Sequence, residues 1–167
     1  NCVINGKTFY WGYQTATFRN TEFNCPNGDY AIWTYSSPVM TFDNCTFNSS
    51  GKVINVYTDA GAGKNDIIVN FSGCTVNNSN LSLKPVLNIN DSNMGSYKYI
   101  LNISNISDSQ VTAERDTTTC TQLFGFGGKI NELFKNSNSG RTEVNIDGKR
   151  VWENGKMQTH DYTDGEK

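Results

Sequence analysis

The chain has 167 residues with 14 Lys+Arg against 16 Asp+Glu, a formal net charge of -2, which leaves no basic footprint for nucleic acid. Nine Phe, eight Tyr and three Trp are more than a disordered polar segment carries, and no apolar run reaches membrane-spanning length. What remains is one globular domain, with the turn-rich and β-branched composition of an all-β architecture.

In chain order, the first feature is Asn1-Cys2-Val3-Ile4-Asn5, followed by an alternating, strand-like run at residues 8–13. Thr17-Phe18-Arg19 then leads into Asn20-Thr21-Glu22-Phe23-Asn24 and a second run at 30–35. The same succession returns as Thr41-Phe42-Asp43, Asn44-Cys45-Thr46-Phe47-Asn48 and 53–57. It returns again as Asn70-Phe71-Ser72, Gly73-Cys74-Thr75-Val76-Asn77 and 86–90, and more faintly as Asn102-Ile103-Ser104, Asn105-Ile106-Ser107-Asp108 and 121–126. The second motif position advances from 2 to 21, 45, 74 and 106. Alternation with β-branched and aromatic residues marks strands rather than helices, so one unit reads as strand, Asn-containing bend, strand, loop.

Repeats of this length, each pairing with its neighbours, predict a solenoid. The steps lengthen because the loops grow: 59–66, 90–98 and 113–119 are excursions, and 127–141 is the longest, with a short helix expected at 129–135. The tail changes character. Residues 142–146, Asp147-Gly148, 149–153, Asn154-Gly155 and 156 onward read as an antiparallel meander, because Asp-Gly and Asn-Gly suit tight hairpin turns with positive φ. The expected organisation is residues 1–141 as solenoid and 142–167 as a β-hairpin cap with a polar tail. The cap would cover the open end of the stack.

The Asn-Cys-Thr-Phe-Asn motif after an alternating strand resembles the repeat of the pectin-lyase-like superfamily, and β-helix segments of large bacterial surface proteins. The resemblance covers about residues 1–141 and implies a single right-handed parallel β-helix of about five coils. It also implies that Asn20, Asn44 and Asn105 share one bend, with Asn44 and Asn105 buried in ladders. Thr21, Cys45, Cys74 and Ile106 would form an inward column, with the cysteines as small buried hydrophobes rather than disulfides. The eight Asn-x-Ser/Thr matches (Asn44, Asn48, Asn70, Asn77, Asn80, Asn90, Asn102 and Asn105) then read as compositional.

Catalytic signatures of the resembling enzymes are missing from the sequence. Polygalacturonases carry Asn-Thr-Asp, paired Asp-Asp, Gly-His-Gly and Arg-Ile-Lys, and pectate lyases carry Asp-rich calcium sites with a basic residue. The competing enzymatic reading is a lyase or hydrolase with a different site, drawn from Asp59, Asp66, Asp91, Asp108 or Glu114. His160 reads as a solvent-exposed tail residue, and Asp59, Asn65 and Asp66 as a loop with at most weak calcium-binding character. No cofactor and no metal site is expected.

The functional expectation rests on aromatic residues of the second strands. Aligned by apolar positions, they give one column of Trp11, Trp33, Asn55, Asn88 and Phe124, and another of Tyr13, Tyr35, Tyr57, Asn90 and Phe126. Residues two apart share a face. If that face is outward, Trp11, Tyr13, Trp33, Tyr35 and Tyr57 form a ligand-binding patch for carbohydrate or a host protein. A shift of one residue would turn it inward. The expected protein is a non-catalytic adhesin or stalk segment, part of a larger multidomain chain on an extracellular bacterial surface, without a membrane span. A plain structural spacer is the third reading.

Overall fold

The computed structural model describes residues 1–11, 14–25, 30–35, 39–49, 52–57, 66–78, 87–89, 98–105, 142–153 and 156–157. Every regular element among them is a β-strand. The first three are β1 (Cys2–Asn5), β2 (Thr8–Trp11) and β3 (Ala16–Arg19), followed by β4 (Thr21–Cys25), β5 (Tyr30–Tyr35) and β6 (Val39–Asp43). Then come β7 (Thr46–Ser49), β8 (Lys52–Tyr57) and β9 (Ile67–Ser72), and β10 (Thr75–Asn78), β11 (Leu87–Ile89) and β12 (Tyr99–Ser104). The tail supplies β13 (Thr142–Ile146), β14 (Lys149–Glu153) and β15 (Lys156–Met157). The expected strand at 121–126, the helix at 129–135 and Ile106 lie outside the described residues.

The strands sort into three sheets in strict rotation. Sheet A holds β1-β4-β7-β10, sheet B holds β2-β5-β8-β11, and sheet C holds β3-β6-β9-β12 followed by β13-β14-β15. All pairings up to β12–β13 are parallel; β13–β14 and β14–β15 are antiparallel. The repeat unit therefore carries three strands where the sequence pattern suggests two. After Asn20, Asn44 and Gly73 the chain resumes extended conformation within two residues and forms the strands β4, β7 and β10 of sheet A.

The bend is one residue wide because it uses the left-handed region. Asn20, Asn44 and Asn105 have φ of 48, 51 and 56°, and Gly73 has 61°. Gly reaches this region without strain and Asn at small cost, which explains why the motif opens on these two residues. The bend N–H groups tie successive repeats together: Asn20 donates to the Asp43 carbonyl at 3.0 Å, Asn44 to Ser72 at 2.8 Å and Gly73 to Ser104 at 3.0 Å.

Between sheets A and C lies a core of stacked rings. Phe18, Phe42 and Phe71 stack at centroid spacings of 5.4 Å and 5.4 Å along sheet C, and Phe23 stacks on Phe47 at 5.1 Å along sheet A. The two columns interlock edge to face, with Phe42 to Phe47 at 5.4 Å and Phe47 to Phe71 at 5.8 Å. Each such pair contributes about 0.5–1.5 kcal/mol beyond area burial. In-register parallel pairing produces the columns: Phe18 lies opposite Phe42, and Phe42 opposite Phe71. Beyond Phe71 the column passes to Ile103 and Ile146.

Side-chain amides form matching columns. Asn48 donates to Asn24 at 2.7 Å and Asn24 to Asn5 at 3.1 Å. Asn145 donates to Asn102 at 2.8 Å, Asn102 to Asn70 at 2.9 Å and Asn70 to Thr41 Oγ1 at 3.1 Å. At the bend, Asn44 donates to Asn20 at 2.7 Å and Asn105 to Ser72 Oγ at 2.8 Å. The resemblance implies a buried bend column, yet Asn20, Asn44 and Asn105 are exposed. A left-handed corner projects its side chain from the rim, where amide pairs form in contact with solvent.

Sheet C continues across residue 141. β13 pairs in parallel with β12, Leu101 opposite Val144 and Asn102 opposite Asn145, while its other edge pairs with β14. Asp147 and Gly148, at φ 47 and 80°, make the tight turn the Asp-Gly signal implies. This segment also satisfies groups that a further coil would otherwise meet. The Asn105 N–H donates to Asp147 Oδ1 at 3.0 Å, and Arg150 Nε donates to Asn145 Oδ1 at 2.7 Å, ending the amide column. Arg150 also pairs with Glu143 at 3.0 Å and with Glu153 at 2.8 Å, and Lys98 pairs with Glu143 as well.

Candidate functional site

The aromatic residues singled out in the sequence fall on sheet B. Trp11 ends β2, Trp33 and Tyr35 lie on β5, and Tyr57 ends β8. Tyr13 lies outside the described residues. The register differs from the expected alignment by two residues in the first coil. Trp33 lies opposite Phe9, not Trp11, and continues to Asn55 and Asn88. Trp11 lies opposite Tyr35, which lies opposite Tyr57. Alignment by apolar positions misplaces the first repeat. A shift of two preserves the pleat, so these positions keep the same parity.

Phe9 is the residue that sequence reasoning missed. It is 60% exposed, at the register position of Trp33, while Ile32, the neighbour of Trp33 in the chain, is 0% exposed. The sequence carries no signal that separates it from Trp11, since a shift of two leaves the alternation unchanged. Sheet B thus brings Phe9 and Trp33 to one register column and Trp11, Tyr35 and Tyr57 to the column two residues on. Neighbouring strands lie about 4.8 Å apart, so each column spaces its residues by that rung distance.

The described carboxylates are engaged in structural contacts. Asp43 pairs with Arg19 at 3.6 Å, Glu22 accepts from Asn48 at 3.2 Å and Asp66 accepts from the Lys98 N–H at 2.9 Å. Glu143, 6% exposed, takes both Lys98 and Arg150. That contact and the Glu143 charge hold the Lys98 ammonium above its ordinary range. Asp59, Asn65, Asp91, Asp108, Glu114 and His160 lie outside the described residues, so the loop reading at Asp59, Asn65 and Asp66 has only Asp66 in view. Among the described residues no group of three or more His, Cys, Asp or Glu side chains is placed to hold a metal ion, and no helix is long and apolar enough to cross a membrane.

The inward column is realised in part. Thr21 and Cys45 are buried and Cys74 is half-buried, whereas Cys2, opposite Thr21 in the first coil, is exposed. Their side chains point hydrogens at backbone carbonyls. Thr21 Oγ1 donates to Arg19 at 3.0 Å, Cys45 to Phe18 at 3.5 Å, and Cys74 to Phe42 at 3.3 Å. Cys2, Cys45 and Cys74 are free thiols.

Comparison with known proteins gives no match to any family model, to any curated protein or to any solved structure.

Proposed function

We propose that this chain is a non-catalytic surface module of right-handed parallel β-helix fold that binds carbohydrate through an aromatic face on sheet B. The rotation of strands through sheets A, B and C, parallel at each step, supports the β-helix reading, since a three-faced solenoid places one strand per face in each coil. Its repeat resembles that of pectin-lyase-like proteins and of β-helix segments in bacterial surface proteins. An extracellular, cell-surface location within a larger chain accords with that resemblance.

The observation that carries the binding reading is the register of sheet B. Five aromatic residues occupy two adjacent columns there, and Phe9 in one of them is 60% exposed. Aromatic residues at register positions one rung apart suit the apolar faces of successive sugar units, and polar residue types such as Asn55 in the same column suit their hydroxyl groups. A host protein is the competing ligand for the same face.

A glycan-array screen of the wild-type chain and of the Trp11→Ala/Trp33→Ala double variant, checked for folding by circular dichroism, tests this proposal. The expected result is binding by the wild type that the folded double variant loses. A folded wild type that retains no glycan would refute the carbohydrate reading for the classes tested and favour a protein ligand. Equal binding by both chains would place the site elsewhere.

A further inference from the structure

We propose that Cys45 and Cys74 are a reactive dithiol that a peroxide oxidises to a disulfide, cross-linking two neighbouring coils through sheet A. The two residues immediately precede β7 and β10, whose first residues, Thr46 and Thr75, lie opposite one another. The Thr75 N–H donates to the Cys45 carbonyl at 2.9 Å. The cysteines therefore occupy equivalent places on adjacent rungs, about 4.8 Å apart, inside the Cα separation of roughly 4.4–6.8 Å that a disulfide spans. Both sulfurs also face the same way, since each donates to the carbonyl of the corresponding residue one coil earlier, Phe18 for Cys45 and Phe42 for Cys74.

Among the described cysteines the fold gives this pair a selectivity that composition does not suggest. Cys2 shares the column, but the Thr21 rung separates it from Cys45, roughly 9.6 Å away at two rung spacings and beyond the reach of a disulfide. Cys25 lies at the far end of β4, opposite Ser49. Access is one-sided: Cys45 is 1% exposed, while Cys74 is half-buried and open to a molecule as small as hydrogen peroxide. Once one thiol ionises, the other S–H can turn from its carbonyl to the thiolate, so the pair releases its first proton below the ordinary thiol range, and that bond with burial holds the second above it.

The chemistry balances with peroxide as the oxidant. One thiolate attacks a peroxide oxygen; an S–O bond forms, the O–O bond breaks, and water leaves with the thiol proton. The second thiol displaces the hydroxyl of the resulting sulfenic acid; the S–S bond forms, the S–O bond breaks, and a second water leaves. Two thiols have lost two electrons and two protons, and one peroxide has become two waters.

The test uses the wild-type chain, native and at low concentration, titrated with hydrogen peroxide. It is then denatured, alkylated with iodoacetamide and mapped by mass spectrometry without reduction. Two of the five cysteines are expected to escape alkylation together, in a peptide linking Cys45 to Cys74, and to be restored by dithiothreitol. The oxidised chain should also unfold at higher urea than the reduced chain. Full alkylation of Cys45 and Cys74 under conditions that oxidise exposed Cys2 would overturn the proposal, as would linkages joining other cysteines. The mapping needs only the wild-type chain, so poor folding of Cys45→Ser or Cys74→Ser leaves the test intact.

Discussion

Truncation of Phe42 to alanine probes the stacked core at its best-packed point. Phe42 is 0% exposed. It stacks on Phe18 and Phe71 at 5.4 Å each and meets Phe23 at 6.0 Å and Phe47 at 5.4 Å edge to face. Removing a buried Phe side chain costs about 3–5 kcal/mol in lost transfer energy and residual cavity. Backbone ladders hold the coils above and below in register, so the hole cannot close by moving one of them. That puts the cost near the top of the range, about 4–5 kcal/mol, against a typical domain stability of roughly 5–15 kcal/mol. In urea, with a slope of about 2 kcal/mol/M, the unfolding midpoint should fall by about 2 M. Far-UV circular dichroism reads this directly, and a chain already unfolded without urea also meets the expectation. Phe9→Ala, on an exposed ring, should stay within about 0.5 kcal/mol of wild type. A Phe42→Ala midpoint equal to that of Phe9→Ala would refute the stacked core.

Other substitutions test separate parts of the architecture. Gly73→Ala should cost about 1–2 kcal/mol, because φ is 61° there although a Cβ would meet nothing within 4 Å. Gly73→Asn, by contrast, should be nearly neutral by the same urea assay, since Asn fills the other bends. Glu143→Gln leaves Lys98 and Arg150 without their shared carboxylate. Both cations are partly exposed, so about 1–2 kcal/mol is expected rather than the larger cost of a fully buried pair. Arg19→Ala removes an exposed pair with Asp43 and should change the midpoint by less than about 0.5 kcal/mol equivalent.

Much of the order of strand repeats was legible because the bend imposes a chemical requirement. A left-handed corner selects Asn or Gly, and Asn20, Asn44, Gly73 and Asn105 announce themselves by recurring after an alternating strand. The alignment of Thr17-Phe18-Arg19 with Thr41-Phe42-Asp43 holds residue for residue in the register of β3 and β6. Sheet B was harder, because a period of two is unchanged by a shift of two. Trp11 therefore fitted opposite Trp33 as well as Phe9 did, and backbone pairing selects Phe9.

The parallel pairing of β13 escapes a local reading for a different reason. Thr-Glu-Val-Asn-Ile precedes a strong turn signal at Asp147-Gly148, and that signal masks the likeness of Asn145 to Asn102 and Asn70. The amide column that joins them involves side chains from coils up to 43 residues apart, a relation local pattern cannot convey. Cys45 and Cys74 were legible as one column, but their isolation from Cys2 and Cys25 depends on which residue fills each intervening rung.

The most direct test of the binding face is a two-dimensional NMR titration of the tryptophan indole N–H signals with each glycan class retained on the array. The chain has three tryptophans, Trp11 and Trp33 on sheet B and Trp152 on β14. A carbohydrate site on sheet B predicts saturable shifts of the Trp11 and Trp33 signals while that of Trp152 stays in place. Saturable binding that leaves Trp11 and Trp33 unmoved, or that shifts Trp152 alone, would contradict it.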